Sequence, residues 1–342
     1  MSTQRNMPAR YWRRLPDERI QCELCPRYCK LGEGAQGLCF VRENAGGQMV
    51  LTAYGRSSGF GVDPIEKKPL YHFLPGTSIL SFGTAGCNLT CKFCQNWSIT
   101  KSREDATLAE EAEPDEIARA ARDNGCRGVA FTYNDPVIFL EYAVDTAEAC
   151  HTLGIRTVAV TAGYITDEAR PEFFRHLDAA NVDLKGFTER YYRDVCGGHL
   201  QPILDTLVYI RHQTNVWLEI TTLLIPGEND SDVELDGLTR WVAEELGPDV
   251  PIHFSAFHPD WRLLDRPRTP AATLARARSI AMRNGIRYAY TGNVYDPTGS
   301  TTLCHGCGRA LIGRDGFRLT TCNLTPEGTC RFCGTRCAGV FQ

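Results

Sequence analysis

The chain has 342 residues, of which 43% are hydrophobic and 23% charged, proportions typical of a folded globular protein and not of a disordered or collagen-like chain. Its formal net charge of −4 gives no overall attraction to nucleic acid or anionic lipid. The first 16 residues are rich in arginine and lack an apolar stretch, and no long apolar run follows. We therefore expect no secretory signal and no membrane span, and we expect a cytoplasmic protein.

Sixteen cysteines are far more than a cytosolic protein of this size usually carries. In a reducing compartment such clusters usually bind metal instead of forming disulfides. They fall into three groups: Cys22, Cys25, Cys29 and Cys39; Cys87, Cys91 and Cys94; and Cys304, Cys307, Cys322, Cys330, Cys333 and Cys337. Cys126, Cys150 and Cys196 stand alone, and we interpret them as small buried apolar side chains.

Between residues 78 and 293, short β-branched or aromatic runs alternate with segments of helical periodicity, which predicts βα units around a parallel sheet. The predicted strands are 79–83, 129–132, 157–161, 181–184, 216–222, 252–256 and 287–290. The predicted helices are 113–124, 137–153, 166–177, 201–213, 231–246 and 271–284. Six or seven units are fewer than the eight of a closed barrel, so the fold class is α/β with a partial (β/α)6-type barrel.

We divide the chain into residues 1–69 as a cysteine-rich amino-terminal module and lead-in, 70–296 as the barrel core, and 297–342 as a small carboxyl-terminal metal module. Polar side chains follow the predicted strands in turn: Asn134, Asp135, Thr161, Tyr164, Asp183, Lys185, Thr221, Thr222, His253, His258 and Asn293. The chemistry of parallel α/β barrels lies at the carboxyl ends of the strands, so these residues predict one site there.

The central motif places Cys87, Cys91 and Cys94 at C-x3-C-x2-C spacing. Three soft thiolates this close in sequence can bind three corners of an iron–sulfur cubane, which leaves the fourth iron open to a substrate. The alternative is part of a tetrahedral zinc site whose fourth ligand lies elsewhere in the chain.

This motif, with Phe93 directly before its third cysteine, resembles the signature of the radical S-adenosylmethionine (radical SAM) superfamily over about residues 70–294. The resemblance implies a [4Fe–4S] cluster whose open iron binds S-adenosylmethionine. It also implies reductive cleavage of that cosubstrate to a 5′-deoxyadenosyl radical, which abstracts hydrogen from a substrate.

The same resemblance assigns further contacts to S-adenosylmethionine: Phe93 to the adenine, Asn134 and Asp135 to the methionyl amine, Thr161 and Tyr164 to the ribose, and Asp183 and Lys185 to the methionyl group. A cationic amine and a carboxylate suit the charged ends of that group. Asp183 and Lys185 have an alternative interpretation as a structural ion pair.

At the carboxyl terminus, Cys304, Cys307, Cys330 and Cys333 form two C-x2-C knuckles. This spacing is close to that of a zinc ribbon, in which four thiolates close the coordination shell, so we predict a structural metal. Cys322 and Cys337 are not needed to complete a set of four ligands, and they are either spare cysteines or alternative ligands. The other interpretation is a flexible tail with free cysteines.

Near the amino terminus, Cys22, Cys25, Cys29 and Cys39 supply four thiolates and no histidine. Such a set permits either zinc or a second iron–sulfur cluster, and spacing does not choose between them. We give zinc a slight preference, and a disulfide pair is the poorer option in a cytosolic protein.

The whole chain resembles the AmmeMemoRadiSam system radical SAM enzymes, which are related to pyruvate formate-lyase activating enzymes. The residues that carry this resemblance include the four-cysteine start, 71–76, 86–97, 257–260, 292–294 and the cysteine-rich tail. It implies Memo-like and AMMECR-type proteins as partners, with a flavodoxin or ferredoxin as electron donor.

Three functions are therefore in competition. The first is a radical SAM enzyme acting on an unidentified substrate, and the second is an activase of a glycyl radical enzyme. The third is a non-catalytic zinc protein that binds nucleic acid, which the negative net charge disfavours.

Overall fold

The computed structural model describes residues 6–342. Within that range, the largest sheet has eight strands, of which seven are parallel. We number the parallel strands β1 (Ser78–Phe82), β2 (Gly128–Phe131), β3 (Arg156–Thr161), β4 (Ala179–Asp183), β5 (Trp217–Leu224), β6 (Ile252–Ala256) and β7 (Ala289–Gly292). They lie in sequence order, and the edge strand Phe60–Pro64 runs antiparallel to β1. The predicted partial barrel is confirmed.

The parallel strands are buried on both faces, as expected when helices cover the outside of a sheet. Every residue of β2 and β6 is buried. The longer helices of the core are α1 (Pro114–Asp123), α2 (Leu140–Thr152), α3 (Arg170–Arg175), α4 (Gln201–Gln213), α5 (Asp232–Trp241) and α6 (Ala271–Arg283). One of these helices lies between each parallel strand and the next along the chain. The βα alternation predicted from the sequence is therefore the alternation of the barrel.

Some predicted boundaries are wrong. The helix predicted over 166–177 is confined to Arg170–Arg175, because Thr166 is used to bind the amino-terminal module: its N–H donates to Leu24 O at 3.1 Å and its hydroxyl to Glu23 O at 2.7 Å. The α-helix predicted over 231–246 ends at Trp241 and continues as a π-helical turn, Val242–Leu246.

The segment between β4 and α4 contains a helix that the sequence did not predict. Glu189–Tyr191 form a short α-helical turn, which continues as a π-helical turn over Tyr192–Cys196. Gly197 ends it with a φ of +69°, a conformation that favours glycine. We call residues 189–198 the clamp segment, because its backbone binds the loop that carries Cys87, Cys91 and Cys94.

The amino-terminal module is built from strands of two to four residues. Trp12–Arg14, Ile20–Cys22 and Lys30–Leu31 form one small sheet, and Met7–Pro8, Gln48–Leu51 and Arg42–Ala45 form another. Arg42 joins this module to α2 through an ion pair with Glu141, in which Nη2 and Oε2 are 2.5 Å apart and both side chains are 1% exposed. The module is therefore packed firmly against the barrel.

The carboxyl-terminal module is a three-stranded antiparallel sheet of Thr302–Leu303, Ala310–Asp315 and Arg318–Cys322. It packs near the amino ends of β5–β7, the opposite end from the strand termini that carry the predicted site. Arg314 Nη2 donates to Tyr71 O at 2.6 Å, and the hydroxyls of Tyr290 and Thr302 are 2.8 Å apart. Within residues 6–342, no helix combines the length and apolarity needed to cross a lipid bilayer.

Candidate functional site

A cleft of about 320 Å³ opens at the carboxyl ends of the parallel strands. Its lining includes Cys87, Cys91, Phe93, Cys94, Asn134, Asp135, Thr161, Asp183, Lys185, Thr221, Ser255 and Asn293. The strands of a parallel barrel end at one rim, so residues that are far apart in sequence meet there. Nine of these twelve residues belong to the cysteine motif and the S-adenosylmethionine contacts predicted from the sequence.

The three central cysteines lie in a loop, residues 86–96, which we call the cysteine loop. Cys91 is buried, and Cys87 and Cys94 are half-buried at the cleft wall. Three soft thiolates from one loop, at the wall of an open cleft, are the donor set that a [4Fe–4S] cluster takes when one of its irons stays open. The chemistry of the donor set therefore fits a cluster.

The entry to the cysteine loop is fixed by Gly86 and Asn134. Gly86 has a φ of +79°, and a Cβ at this position would lie 1.8 Å from Cys39 O, so only glycine fits. Asn134 accepts the Thr84 N–H at 3.0 Å and donates to Gly86 O at 3.0 Å. The Asn134 side-chain amide therefore uses both its oxygen and its nitrogen to hold the entry of the loop. Asn134 also lines the cleft.

The middle of the cysteine loop is held by the clamp segment. The Thr90 N–H donates to Cys196 O and the Lys92 N–H to Val195 O, both at 2.9 Å. Gly197 packs so closely that a Cβ there would lie 1.9 Å from Thr90 Oγ1. The sequence analysis did not identify this role, although the consecutive glycines after Cys196 signal a close backbone approach.

Asp135 and Thr161 form one unit across the ends of β2 and β3. Asp135 Oδ1 accepts the Thr161 hydroxyl at 2.8 Å, and its Oδ2 accepts the Ala162 N–H at 3.2 Å. Burial raises the pKa of Asp135 to about 6, although these hydrogen bonds act in the opposite direction. The cleft therefore contains a carboxyl group that burial makes easier to protonate than a carboxyl group in water.

Lys185 and Asp183 form an ion pair at the end of β4, with Nζ and Oδ2 2.7 Å apart. Their side chains are 15% and 32% exposed, and both line the cleft. Burial disfavours the ammonium ion, but the Asp183 carboxylate and the Cys91 sulfur hold the pKa of Lys185 well above its usual value. The cleft therefore presents a permanent cation beside the cysteine loop.

Phe93 is 5% exposed, lines the cleft and stacks on Tyr191 of the clamp segment, with ring centroids 6.2 Å apart. Tyr164, for which the sequence predicts a ribose contact, is not among the residues that line the cleft. It is 1% exposed and lies beneath the guanidinium of Arg27, 5.9 Å from ring centroid to Cζ. Its carbonyl accepts the side-chain amide of Asn88 at 2.9 Å, so it supports the cysteine loop from behind.

The wall formed by β5–β7 is less charged. Thr221 is 8% exposed, and its hydroxyl has no hydrogen-bond partner among the described residues. Thr222 faces the other way and donates to Leu184 O at 2.8 Å. His253 lies deeper in the barrel, with Nε2 2.7 Å from Glu219 Oε2. The rim predicted from the sequence therefore includes Thr221 but excludes Thr222 and His253, because alternate residues of a strand point to opposite faces and its early residues lie below the rim.

His258 also lies outside the cleft lining. It is exposed, and its Nδ1 is 3.1 Å from Gln95 Nε2 in the cysteine loop. Asn293, at the end of β7, does line the cleft as predicted. The polar residues after β5–β7 thus divide between the cleft, the barrel interior and the outer surface.

The carboxyl-terminal cysteines form a separate site, which we call the tail set: Cys304, Cys307, Cys330 and Cys333. Their sulfurs all lie within 4.8 Å of one another, with Cys304 and Cys333 3.6 Å apart and Cys307 and Cys330 3.9 Å apart. Tetrahedral zinc with Zn–S bonds of about 2.3 Å requires sulfurs about 3.8 Å apart. The geometry fits one zinc ion.

The two surplus cysteines of the tail lie outside that set. Cys322 is exposed at the end of its strand. Cys337 is buried, with its sulfur 3.8 Å from His72 Nδ1. Four sulfurs suffice for one tetrahedral ion, so neither residue is needed as a ligand.

Comparison with known families agrees with this geometry. Residues 82–236 match the family model described as the radical SAM superfamily. The matched range begins at the end of β1 and runs into α5, so it includes the cysteine loop, the Asp135–Thr161 unit and the Asp183–Lys185 pair.

Two curated relatives give the range of similarity. The chain is 38% identical to a protein of Methanocaldococcus jannaschii, described as uncharacterized protein MJ0808, over 96% of this chain and 98% of that protein. It is 26% identical to the pyruvate formate-lyase-activating enzyme of Clostridium pasteurianum, over 43% of this chain and 61% of that protein. The expected relation to activating enzymes is confirmed.

The fold is shared with solved structures of low sequence identity. A radical SAM methyltransferase from Sphaerobacter thermophilus aligns with a TM-score of 0.51 at 16% identity, over 64% of this chain and 67% of that protein. At this identity the likeness concerns the fold alone.

Proposed function

The chain belongs to the radical SAM superfamily, and from that premise we propose that Cys87, Cys91 and Cys94 hold the [4Fe–4S] cluster at which S-adenosylmethionine is cleaved. The observation that carries this proposal is the cleft itself. It joins three thiols of one loop to an aromatic ring, a buried carboxyl group and a cation. When bound and reduced, the cluster supplies the electron that releases a 5′-deoxyadenosyl radical from the cosubstrate.

Each protein group then has a role that its surroundings support. The Lys185 ammonium faces the cleft and binds the methionyl carboxylate, a charge-assisted contact. Phe93, fixed by its stack on Tyr191, offers its ring to the adenine. The Asp135–Thr161 unit, which lies between these two, binds polar groups of the methionine and ribose. Asn134 positions the cysteine loop.

The substrate binds on the opposite side of the cleft, against Thr221, Ser255 and Asn293. The unpartnered Thr221 hydroxyl is available there to hydrogen-bond it. Because this wall is mostly uncharged, specificity depends on shape and hydrogen bonding. The substrate itself is not identified by these residues.

The test is anaerobic reconstitution with iron and sulfide, followed by reduction. We expect an absorbance band near about 400 nm, which zinc does not give because its d shell is filled, and release of 5′-deoxyadenosine from S-adenosylmethionine. A reconstituted protein that shows no such band, or shows the band without cleavage, would contradict the proposal. Cys322→Ser, which removes an exposed cysteine outside every set, is the matched control.

We also propose that the tail set holds a structural zinc ion, because its four sulfurs all lie within 4.8 Å of one another. Cys22, Cys25, Cys29 and Cys39 stay a predicted site for zinc or a second iron–sulfur cluster. Membership of an enzyme superfamily makes a purely structural role for all three cysteine groups untenable. A flavodoxin or ferredoxin suits the need for single electrons, and Memo-like and AMMECR-type proteins stay predicted partners.

A second candidate is activation of a glycyl radical enzyme, for which the substrate is a polypeptide. The similarity to an activating enzyme supports it, as does an aromatic pair beside the cleft, of which Trp97 is exposed and Trp261 half-buried. Trp97 follows Asn96 of the lining and stacks on Trp261, with ring centroids 5.0 Å apart. A surface of this kind suits a protein partner. Incubation with a glycyl radical enzyme would give a glycyl radical signal by electron paramagnetic resonance, and its absence with active cleavage would favour another substrate.

A further inference from the structure

Thr100 lies directly against the third cysteine of the cysteine loop. It is the last residue of the short helix Trp97–Thr100, which follows the loop in sequence, and it is 6% exposed. Its Oγ1 is 3.0 Å from Cys94 Sγ, and both residues line the cleft. The Thr100 hydroxyl is thus held at hydrogen-bonding distance from a sulfur that we assign to the cluster.

Binding of iron fixes the direction of this hydrogen bond. A free cysteine thiol and a threonine hydroxyl can each donate, but a cysteine that binds iron has lost its proton. The Cys94 sulfur can then only accept, so the Thr100 hydroxyl is the donor. A hydrogen bond to an ionised acceptor is charge-assisted and stronger than one between neutral groups.

Cys196 stands in the same relation to the second cysteine of the loop. Its carbonyl oxygen, which accepts the Thr90 N–H at 2.9 Å, lies 3.9 Å from Cys91 Sγ. Its thiol hydrogen-bonds the Cys91 sulfur. Cys196 is 0% exposed and Cys91 7% exposed, so water does not compete for this contact. The interpretation of Cys196 as an apolar side chain explains its burial but not this hydrogen bond, in which the thiol is the donor once Cys91 binds iron.

The clamp segment leaves Cys196 little freedom to move. Gly198 N–H donates to Tyr192 O at 2.9 Å and closes the π-helical turn, and a Cβ on Gly198 would lie 2.7 Å from Leu89 Cδ2 of the cysteine loop. The Tyr192 hydroxyl accepts the Lys185 N–H at 2.9 Å, which joins the clamp segment to the end of β4. The position of the Cys196 side chain relative to the loop is therefore set from several sides.

Cys87 receives its hydrogen bond from a different source. The donor is the backbone N–H of Leu89, two residues further along the same loop. The side chain beside its sulfur, Asn88 Oδ1 at 3.8 Å, is an acceptor and offers no proton to a thiolate. Cys91 and Cys94 thus differ from Cys87, because their side-chain donors can be removed by substitution without changing the backbone.

Hydrogen bonds to the sulfurs of an iron–sulfur cluster change its reduction potential. When a [4Fe–4S] cluster takes one electron from reduced flavodoxin or dithionite, it changes from 2+ to 1+ and its sulfurs become more negative. A donor then stabilises the reduced state more than the oxidised state, so the potential rises and reduction becomes easier. Burial strengthens such a hydrogen bond because the local dielectric constant is low.

We propose that the Thr100 hydroxyl and the Cys196 thiol donate hydrogen bonds to the cluster ligands Cys94 and Cys91 and thereby raise the reduction potential of the catalytic cluster. Thr100 and Cys196 are positioning residues, because they act through the ligand sulfurs and not on the cosubstrate. The proposal rests on the proposed function, which supplies the cluster.

The reduction potential of Thr100 variants tests this proposal. Thr100→Val removes the hydroxyl and nearly keeps the shape of the side chain, whereas Thr100→Ser keeps the hydroxyl. After anaerobic reconstitution we expect Thr100→Val to bind as much iron as wild type and to be about tenfold harder to reduce, a potential lower by about 59 mV for one electron. Thr100→Ser should restore most of the wild-type potential. Redox titration followed by electron paramagnetic resonance would measure both, and the signal that changes when S-adenosylmethionine is added identifies the catalytic cluster.

Thr146→Val is the matched control, because it removes a buried hydroxyl that donates to Tyr142 O within α2, and its potential should be that of wild type. An unchanged potential in Thr100→Val with full iron would overturn the role of Thr100, and so would an equal fall in Thr100→Ser. If Thr100→Val does not bind the cluster, Thr100→Ala, which also lacks the hydroxyl, gives the same measurement. Loss of iron in every Thr100 variant would show a packing role instead.

Cys196 gives a second, independent measurement. Cys196→Ala removes the donor and Cys196→Ser puts a hydroxyl in its place, so we expect the potential to fall in the first variant and to recover in the second, with full iron in both. Equal potentials in these two variants would overturn the role of Cys196. Wild-type protein that forms no cluster, or a cluster whose signal S-adenosylmethionine does not change, would instead refute the proposed function.

Discussion

The tail set and the cysteine loop are both made from closely spaced cysteines, but they are held in different ways. Each tail knuckle is closed by a backbone hydrogen bond within its own turn: Gly308 N–H donates to Cys304 O at 2.8 Å and Gly334 N–H to Cys330 O at 2.9 Å. The cysteine loop is instead held by Asn134, the clamp segment and the backbone of Cys39. A closed metal site is thus a local structure, whereas an open one depends on distant parts of the chain.

The largest effect should come from removing a thiolate of the open site. Cys91→Ala leaves Cys87 and Cys94 in the loop, and it is combined with Cys196→Ala because the buried Cys196 thiol of the clamp segment contacts Cys91 and would be the nearest substitute ligand. We expect cleavage of S-adenosylmethionine with dithionite to be abolished, measured as 5′-deoxyadenosine. Cys126→Ala, which removes a buried cysteine outside every set, should keep its cleavage. If the double variant still releases the product, the assignment of the loop is wrong.

The support of the open site by distant residues can be tested at Gly86. Ala at this position would place Cβ 1.8 Å from Cys39 O, a backbone atom that cannot rotate away. Gly34 also has a positive φ, +71°, but nothing lies within 4 Å of its Cβ position. Both substitutions carry the same backbone strain of about 1–2 kcal/mol, so the difference between them reports the clash.

We expect Gly86→Ala to lose most of the iron that the cysteine loop binds and to unfold at a lower temperature, while Gly34→Ala loses little of either. Iron analysis and thermal unfolding would measure the two effects. Equal behaviour of the two variants would mean that the amino-terminal module does not set the shape of the loop.

The closed site should be separable from the open one. In Cys330→Ser the tail set keeps three thiolates, and we expect the loss of about one equivalent of zinc together with part of the folding stability that the ion provides. The tail packs at the opposite end of the barrel, so the iron–sulfur absorbance should be unchanged. Loss of that absorbance with normal zinc content would contradict the division between the two sites.

Sequence periodicity predicted the barrel because its signal is repeated. Strands such as β2 and β6 are buried on both faces, and each is followed by a helix, so one α/β unit supports the interpretation of the next. The strands of the amino-terminal module have two to four residues, too few for a period to appear. The buried Arg42–Glu141 pair joins residues 99 positions apart, a distance at which the sequence alone gives no signal.

In the candidate site, too, the sequence predicted only the features whose residues are close together in the chain. Spacing identified the tail set and the cysteine loop, since their ligands are neighbours in sequence. It did not separate Thr221 from Thr222, because the orientation of a strand residue depends on the register of the sheet. The clamp segment was missed because a π-helical turn has no distinctive hydrophobic pattern, and only its contacts with Thr90 and Lys92 reveal its role.

The smallest effect expected in the cleft is that of Lys185, whose ammonium ion is paired with Asp183 at 2.7 Å. Lys185→Ala removes a charge-assisted contact worth about 1.5–3 kcal/mol, so we expect S-adenosylmethionine affinity to fall by roughly tenfold or more with the iron–sulfur spectrum intact. Lys92→Ala, which removes an exposed lysine of the cysteine loop that does not line the cleft, should bind normally. Isothermal titration under anaerobic conditions would measure both. The 15% exposure of Lys185 toward the cleft favours a ligand contact, and unchanged affinity with a broad loss of folding stability would show a structural ion pair instead.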